Sequence, residues 1–144
     1  MLNKKALIDL DNFNSPEFKD EFQINPSLKA GVMDICSRHI EYALDILNYE
    51  PFKALEIMRA LNDFHEILGD MPHAILDLSV AVVSKIGAYN IQYAINLLDE
   101  IKNESYKIDA AIELLRRTDS QDCINEIAKK IRILDNEKVQ EFEH

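Results

Sequence analysis

Glycine and proline are nearly missing from this chain, at 3 and 4 of 144 residues, and each proline stands where a helix could begin. So few punctuating residues exclude a loop-rich architecture. Cysteine occurs twice, at Cys36 and Cys123, both inside helical patterns, which excludes a disulfide framework and predicts a reducing, cytoplasmic setting. Tryptophan is absent. No apolar run approaches the roughly 20 residues that span a bilayer. The most apolar stretch, residues 71–86, is broken by Asp77, and no apolar run follows Met1-Leu-Asn-Lys-Lys5, so neither a membrane span nor a secretory leader is expected. Strand signals are lacking too: no segment alternates with period two, and no Asn-Gly or Asp-Gly turn separates apolar runs. Positive charge is in short supply, with a formal net of −10 spread along the chain. An acidic field repels phosphate backbones and so disfavours direct nucleic-acid binding, while it suits solubility or a partner with a basic surface.

Helical periodicity fills the remainder. Ser15-Pro16-Glu17 reads as a cap followed by proline at the first helical position, giving a turn or two through Phe22. Before it, Leu2, Ala6, Leu7 and Leu10 suit a short amphipathic helix. Asn25-Pro26 repeats the start signal and opens a long helix to about Asn48, with Met33, Cys36, Ile40, Ala43, Leu44 and Leu47 on one stripe. Gly31 inside it costs about 1 kcal/mol relative to alanine and marks a place for a break. Pro51 starts a helix with Ala54, Ile57, Leu61, Phe64 and Leu68 inward and Gly69 as terminator. Asp70 and Pro72 open a third, ended by Gly87; its apolar residues cover nearly every face, which predicts a central element packed on both sides. Asn90 caps a helix bearing Ile91, Ala94, Ile95, Leu98 and Ile101. Ser105 caps one with Ile108, Ala111, Ile112 and Leu115 inward. Thr118-Asp-Ser-Gln121 has capping-box spacing before Ile124, Ile127, Ala128, Ile131 and Leu134.

Two pieces of the chain repeat. Ile40-Glu-Tyr-Ala-Leu-Asp-Ile-Leu47 matches Ile91-Gln-Tyr-Ala-Ile-Asn-Leu-Leu98, and Ala54-Leu-Glu-Ile-Met-Arg59 matches Ala111-Ile-Glu-Leu-Leu-Arg116. Such self-similarity marks helical hairpins that need a neighbour to bury their apolar faces. The expected fold is all-α: antiparallel helical hairpins stacked as a short αα-repeat array or a compact bundle of six main helices. An irregular segment with short helices (1–25) precedes the repeat domain (26–134), and a charged tail (135–144) follows. Residues 94–115, with their recurring Ala/Leu and Ile-polar-Asn/Asp pattern, resemble the degenerate repeats of tetratricopeptide-like arrays. That resemblance implies a non-enzymatic protein-binding scaffold, adaptor or chaperone-like.

Few residues suggest chemistry. Arg59 and His65 have a spacing similar to the Arg-x4-6-His element of HEPN-type ribonucleases, which implies phosphate binding and acid–base work. Ala60 departs from the polar residue usual after that Arg, however. Six residues also turn a straight helix by about 240° net, placing the two side chains on different faces. Cys36 and His39, with His65 and His73 elsewhere, are the only cluster of soft ligands and fall short of the four that zinc wants. Glu141 and His144 have di-iron spacing in a single copy, which carries nothing. No phosphate loop, nucleophile triad or paired carboxylate is visible, so no catalytic residue, metal or cofactor is expected. Asp63, Glu66 and Asp70 form a candidate acidic ridge for a partner. Phe18 and Phe22, with Phe13, are open to two uses, closing the core or gripping a partner helix. A third reading is a small acidic effector or inhibitor, of the sort viruses encode, seated in a basic site. An uncapped terminal hairpin also allows homo-oligomers.

Overall fold

The computed structural model describes residues 16–68 and 72–132. Expectations for Leu2 to Leu10, Phe13, Gly69, Asp70, Leu134 and the tail with Glu141 and His144 lie outside the described residues. Among the described residues there is no strand; seven α-helices and one short 3-10 turn account for nearly all of the backbone. They are α1 (Pro16–Ile24), α2 (Pro26–Ile46), α3 (Pro51–Leu68), α4 (His73–Tyr89), α5 (Ile91–Leu97), the 3-10 turn Leu98–Glu100, α6 (Glu104–Leu115) and α7 (Gln121–Arg132).

The helix starts follow from short polar side chains that satisfy otherwise orphaned amides. Asn25 Oδ1 accepts from the N–H groups of Ser27 and Leu28, both at 3.1 Å, with Pro26 occupying a position that needs no amide. Asn90 Oδ1 accepts from Tyr93 N–H at 3.0 Å. Two caps differ from expectation by a residue or two. Asn103, not Ser105, caps α6 through Tyr106 N–H at 3.1 Å, since its carboxamide reaches back over the first turn that Glu104 begins. Ser120 caps α7, its Oγ accepting from Cys123 N–H at 3.4 Å, while Thr118 Oγ1 accepts from Ser120 N–H at 3.1 Å and so shapes the approach to the helix.

Both expected glycine breaks fail to occur. α2 runs unbroken through Gly31, whose surroundings are open solvent. α4 continues past Gly87 to Tyr89, and Asn90 N–H still donates to Ile86 C=O at 2.8 Å. Gly87 serves close approach instead: a Cβ there would lie 2.5 Å from Leu114 Cδ2 and 3.6 Å from Ala94 Cβ. The helix from Asn90 was expected to reach Ile101; it tightens after Leu97 into the 3-10 turn, and Ile101 N–H bonds back to Leu98 C=O at 3.2 Å. α1 extends to Ile24, a little beyond the expected end.

The chain divides into two compact units, residues 1–78 and 79–144, with the division inside α4. In the first, α1, α2 and α3 each pack on the other two. Val32, Cys36, Ile40 and Ala43 line the buried stripe of α2, and Ala54, Ile57, Leu61 and Phe64 that of α3, widened by Leu55 and Met58. In the second, α5, α6 and α7 likewise pack pairwise, over a core of Ile95, Leu98, Ile108, Leu114 and Ile127. α4 is a core element throughout: Ile75, Leu78, Val82, Val83 and Ile86 are fully or almost fully buried, with Asp77 at the surface. Burying each such side chain stabilises the fold by about 1.5–3 kcal/mol before ordering costs are subtracted.

Candidate functional site

Two histidines and one cysteine held whatever catalytic or metal-binding promise the sequence offered. All three lie inside the protein. Burial pushes the Cys36 thiol up to about 12, which disfavours the thiolate that nucleophilic attack would need. His39, one turn on, is also buried and donates from Nδ1 to Ile35 C=O at 2.8 Å, an intrahelical bond that fixes its tautomer. His65 is fully buried, its ring set edge-on to Phe64 with centroids 5.4 Å apart. Arg59 is only half-buried, so helix geometry does not bring it and His65 to one solvent-facing site. His73 is exposed at the start of α4. Among the described residues no group of three or more His, Cys, Asp or Glu side chains could hold a metal ion.

The candidate partner residues divide differently. Phe22 takes the first of its two open uses and closes the core of the first unit, entirely buried, with its ring centroid 6.3 Å from that of half-buried Phe18 and Lys29 Nζ 5.4 Å above it. It offers no surface to a partner. Asp63 and Glu66 do lie exposed on α3, while Asp70 falls outside the described residues. Asp63 belongs to a longer outward stripe, Phe52, Glu56, Ala60, Asp63, at helical spacing.

Besides Ile24 at the end of α1, 75% exposed, the described residues of the first unit leave an apolar corner at the surface that periodicity did not reveal. Leu44, assigned to the inward stripe of α2, is 46% exposed; Tyr49 in the following turn is 81% exposed, and Phe52 at the start of α3 is 46% exposed. All three sit at the corner where α2 passes into α3. Neighbouring apolar residues Ala43 and Leu44 cannot both face one line of contact, since successive helical residues are rotated by about 100°. That was the available signal. The smaller of the two went inside. In the second unit Tyr89 at the end of α4 and Tyr93 in the first turn of α5 are exposed.

Ionic contacts in the second unit gather at Asp99. Its carboxylate accepts from Lys130 on α7 and from Lys107 on α6, the latter at 3.4 Å, tying the 3-10 turn to both helices. The hydrogen bond from Lys130 and then the two ammonium charges hold the Asp99 carboxyl below its ordinary 3.8, against partial desolvation. Ser84 on α4 accepts from Arg117 Nη2 at 3.1 Å and Nε at 3.3 Å. Both features are architectural.

No family model, curated protein or solved structure matches the chain. No helix among the described residues is long and apolar enough to cross a membrane.

Proposed function

We propose that this chain is a non-enzymatic protein-binding module built from helical hairpins, with α2–α3 and α5–α6 as two copies of one degenerate repeat, acting in the reducing interior of a cell. The matched positions support the repeat: Ala43 and Ala94, Ala54 and Ala111, and Ile57 and Leu114 are buried in both copies. The observation that carries the functional reading is the sorting of side chains in the first unit. Of the groups able to do chemistry, Cys36, His39 and His65 are inside while His73 and half-buried Arg59 reach the surface, and groups able to grip a partner (Tyr49, Phe52, Asp63, Glu66) are outside.

The test is capture of partners by the immobilised chain, purification of one complex and titration of its affinity with salt. An adaptor held by apolar contacts keeps its affinity within about tenfold between about 50 and 500 mM salt, whereas an inhibitor docked by charge alone loses far more. RNA cleavage that disappears in both Arg59→Ala and His65→Ala would replace this reading with the nuclease one.

A further inference from the structure

We propose that the α2–α3 corner is the docking site, and that its occupant is a short lysine- or arginine-rich segment of another protein carrying an apolar anchor; this rests on the protein-binding reading above. Three large apolar side chains, Leu44, Tyr49 and Phe52, stand out from one end of a helix pair whose backbone is fixed. Tyr49 N–H and Glu50 N–H both donate to Ile46 C=O, at 2.9 and 2.7 Å, and Lys53 N–H donates to Glu50 C=O at 3.1 Å. The corner therefore presents Tyr49 on a hydrogen-bonded backbone that has little freedom left to lose on binding. Tyrosine on such a support combines contact area with a polar tip, the property that makes it common at interface hot spots.

The rim decides the partner. Glu41 and Asp45 lie on the exposed face of α2, Glu50 in the turn and Glu56 one helical turn beyond Phe52, all at the surface. One basic residue, half-buried Lys53, falls among them. An apolar centre ringed by carboxylates is complementary to an apolar side chain flanked by ammonium or guanidinium groups, and it speeds their encounter. The same rim opposes the other occupants. A second copy of the corner would set these carboxylates against their own counterparts across a two-fold axis, and anionic lipid or nucleic acid would be repelled. The α4–α5 corner supplies an internal control. Tyr89 and Tyr93 are exposed there, yet residues 88–96 include no charged side chain.

The experiment uses the full chain, isotope-labelled, with a fluorescent amphipathic peptide of about fifteen lysine and leucine residues as the probe. Backbone amide shifts on titration should concentrate in residues 41–56. Tyr49→Ser combined with Phe52→Ser keeps the net charge and replaces two exposed side chains; it should weaken binding at least about tenfold by anisotropy, with the circular dichroism spectrum of the parent retained. Tyr89→Ser with Tyr93→Ser should leave it unchanged, and Asp45→Asn with Glu50→Gln should lower both the affinity and its salt dependence. Equal binding by both serine double variants, or shifts spread over the whole acidic surface, overturns the proposal, because charge alone would then account for the association. So does a concentration-dependent shift of the same residues without peptide, which would make the occupant a second copy, or tighter binding to phosphatidylserine vesicles than to the peptide. Peptide shifts confined to another surface overturn the site while leaving the protein-binding reading in place.

Discussion

The two self-similar stretches of the chain begin from nearly the same letters and end in different surroundings. In the first, the matched segment is the last part of a 21-residue helix; in the second it is a 7-residue helix that tightens into a 3-10 turn. Each pair is completed by a third helix, but α1 precedes its pair and α7 follows its own. The small residues at matched positions, Ala43 and Ala94, Ala54 and Ala111, are buried in both. The flanking positions diverge: Leu44 is 46% exposed where its counterpart Ile95 is fully buried. Nearly the same letters thus lie in two settings, one with the flank covered and one with it open. Where the flank stays open, apolar surface is left for use.

That contrast can be broken most directly at the divergent pair. Ile95→Ala should cost about 3 kcal/mol of stability, as a truncation that leaves a cavity does. Leu44→Ala should cost under about 1 kcal/mol. Urea denaturation followed by circular dichroism measures both, and equal losses would mean the two positions are equivalent after all. The cysteines separate the units next. Cys123 is half-exposed and should be alkylated by iodoacetamide at pH 8 on the order of a hundredfold faster than Cys36. Cys36 must wait for local opening before a thiolate can form. Mass spectrometry of a time course reads the two rates separately.

The glycines sharpen the comparison further, with opposite signs. Gly31→Ala in α2 should raise stability by about 0.5–1 kcal/mol, because the site is open and helical. Gly87→Ala in α4 should lower it by about 1 kcal/mol: the helical gain is outweighed by forcing the buried Leu114 side chain aside. Thermal midpoints of the two variants should lie on either side of the parent. The smallest effect belongs to Asp99→Asn, about 0.5 kcal/mol for a carboxylate that is itself 56% exposed. Its carboxyl is held below 3.8, so its contribution is complete above that value and disappears as pH falls through the lower folded one. Parent and variant should therefore differ near pH 7 and converge in strong acid.

Much of the helix plan was legible because prolines and asparagines mark starts with a mechanism: Asn25-Pro26, Pro51 and Asn90 each stand at an observed helix start. Glycine was ambiguous, since one letter serves both as a terminator and as room for a neighbouring helix; at Gly87 only Leu114, 27 residues away, reveals which. Caps slipped where two short polar residues compete, as at Asn103 and Ser105, and both are reasonable acceptors. Histidine carries no sign of its depth in its type, and His39 and His65 are buried among apolar neighbours that sequence spacing alone does not place around them. The corner formed by Leu44, Tyr49 and Phe52 was hidden for a related reason. Periodicity says which residues share a face, not whether another helix arrives to cover it.

One helix is held in common by both halves of the molecule. A protease, a gene fusion or an inserted tag placed between Leu78 and Ser79 would cut α4 through its hydrogen-bonded middle and strand Ile75 and Leu78 from Val82, Val83 and Ile86. Either fragment would then carry a sticky half-helix into solution, an invitation to aggregate or to recombine with its missing complement. Engineered splits belong instead at the turn between α6 and α7, where residues 116–120 are polar, none of them is buried, and both helices stay whole.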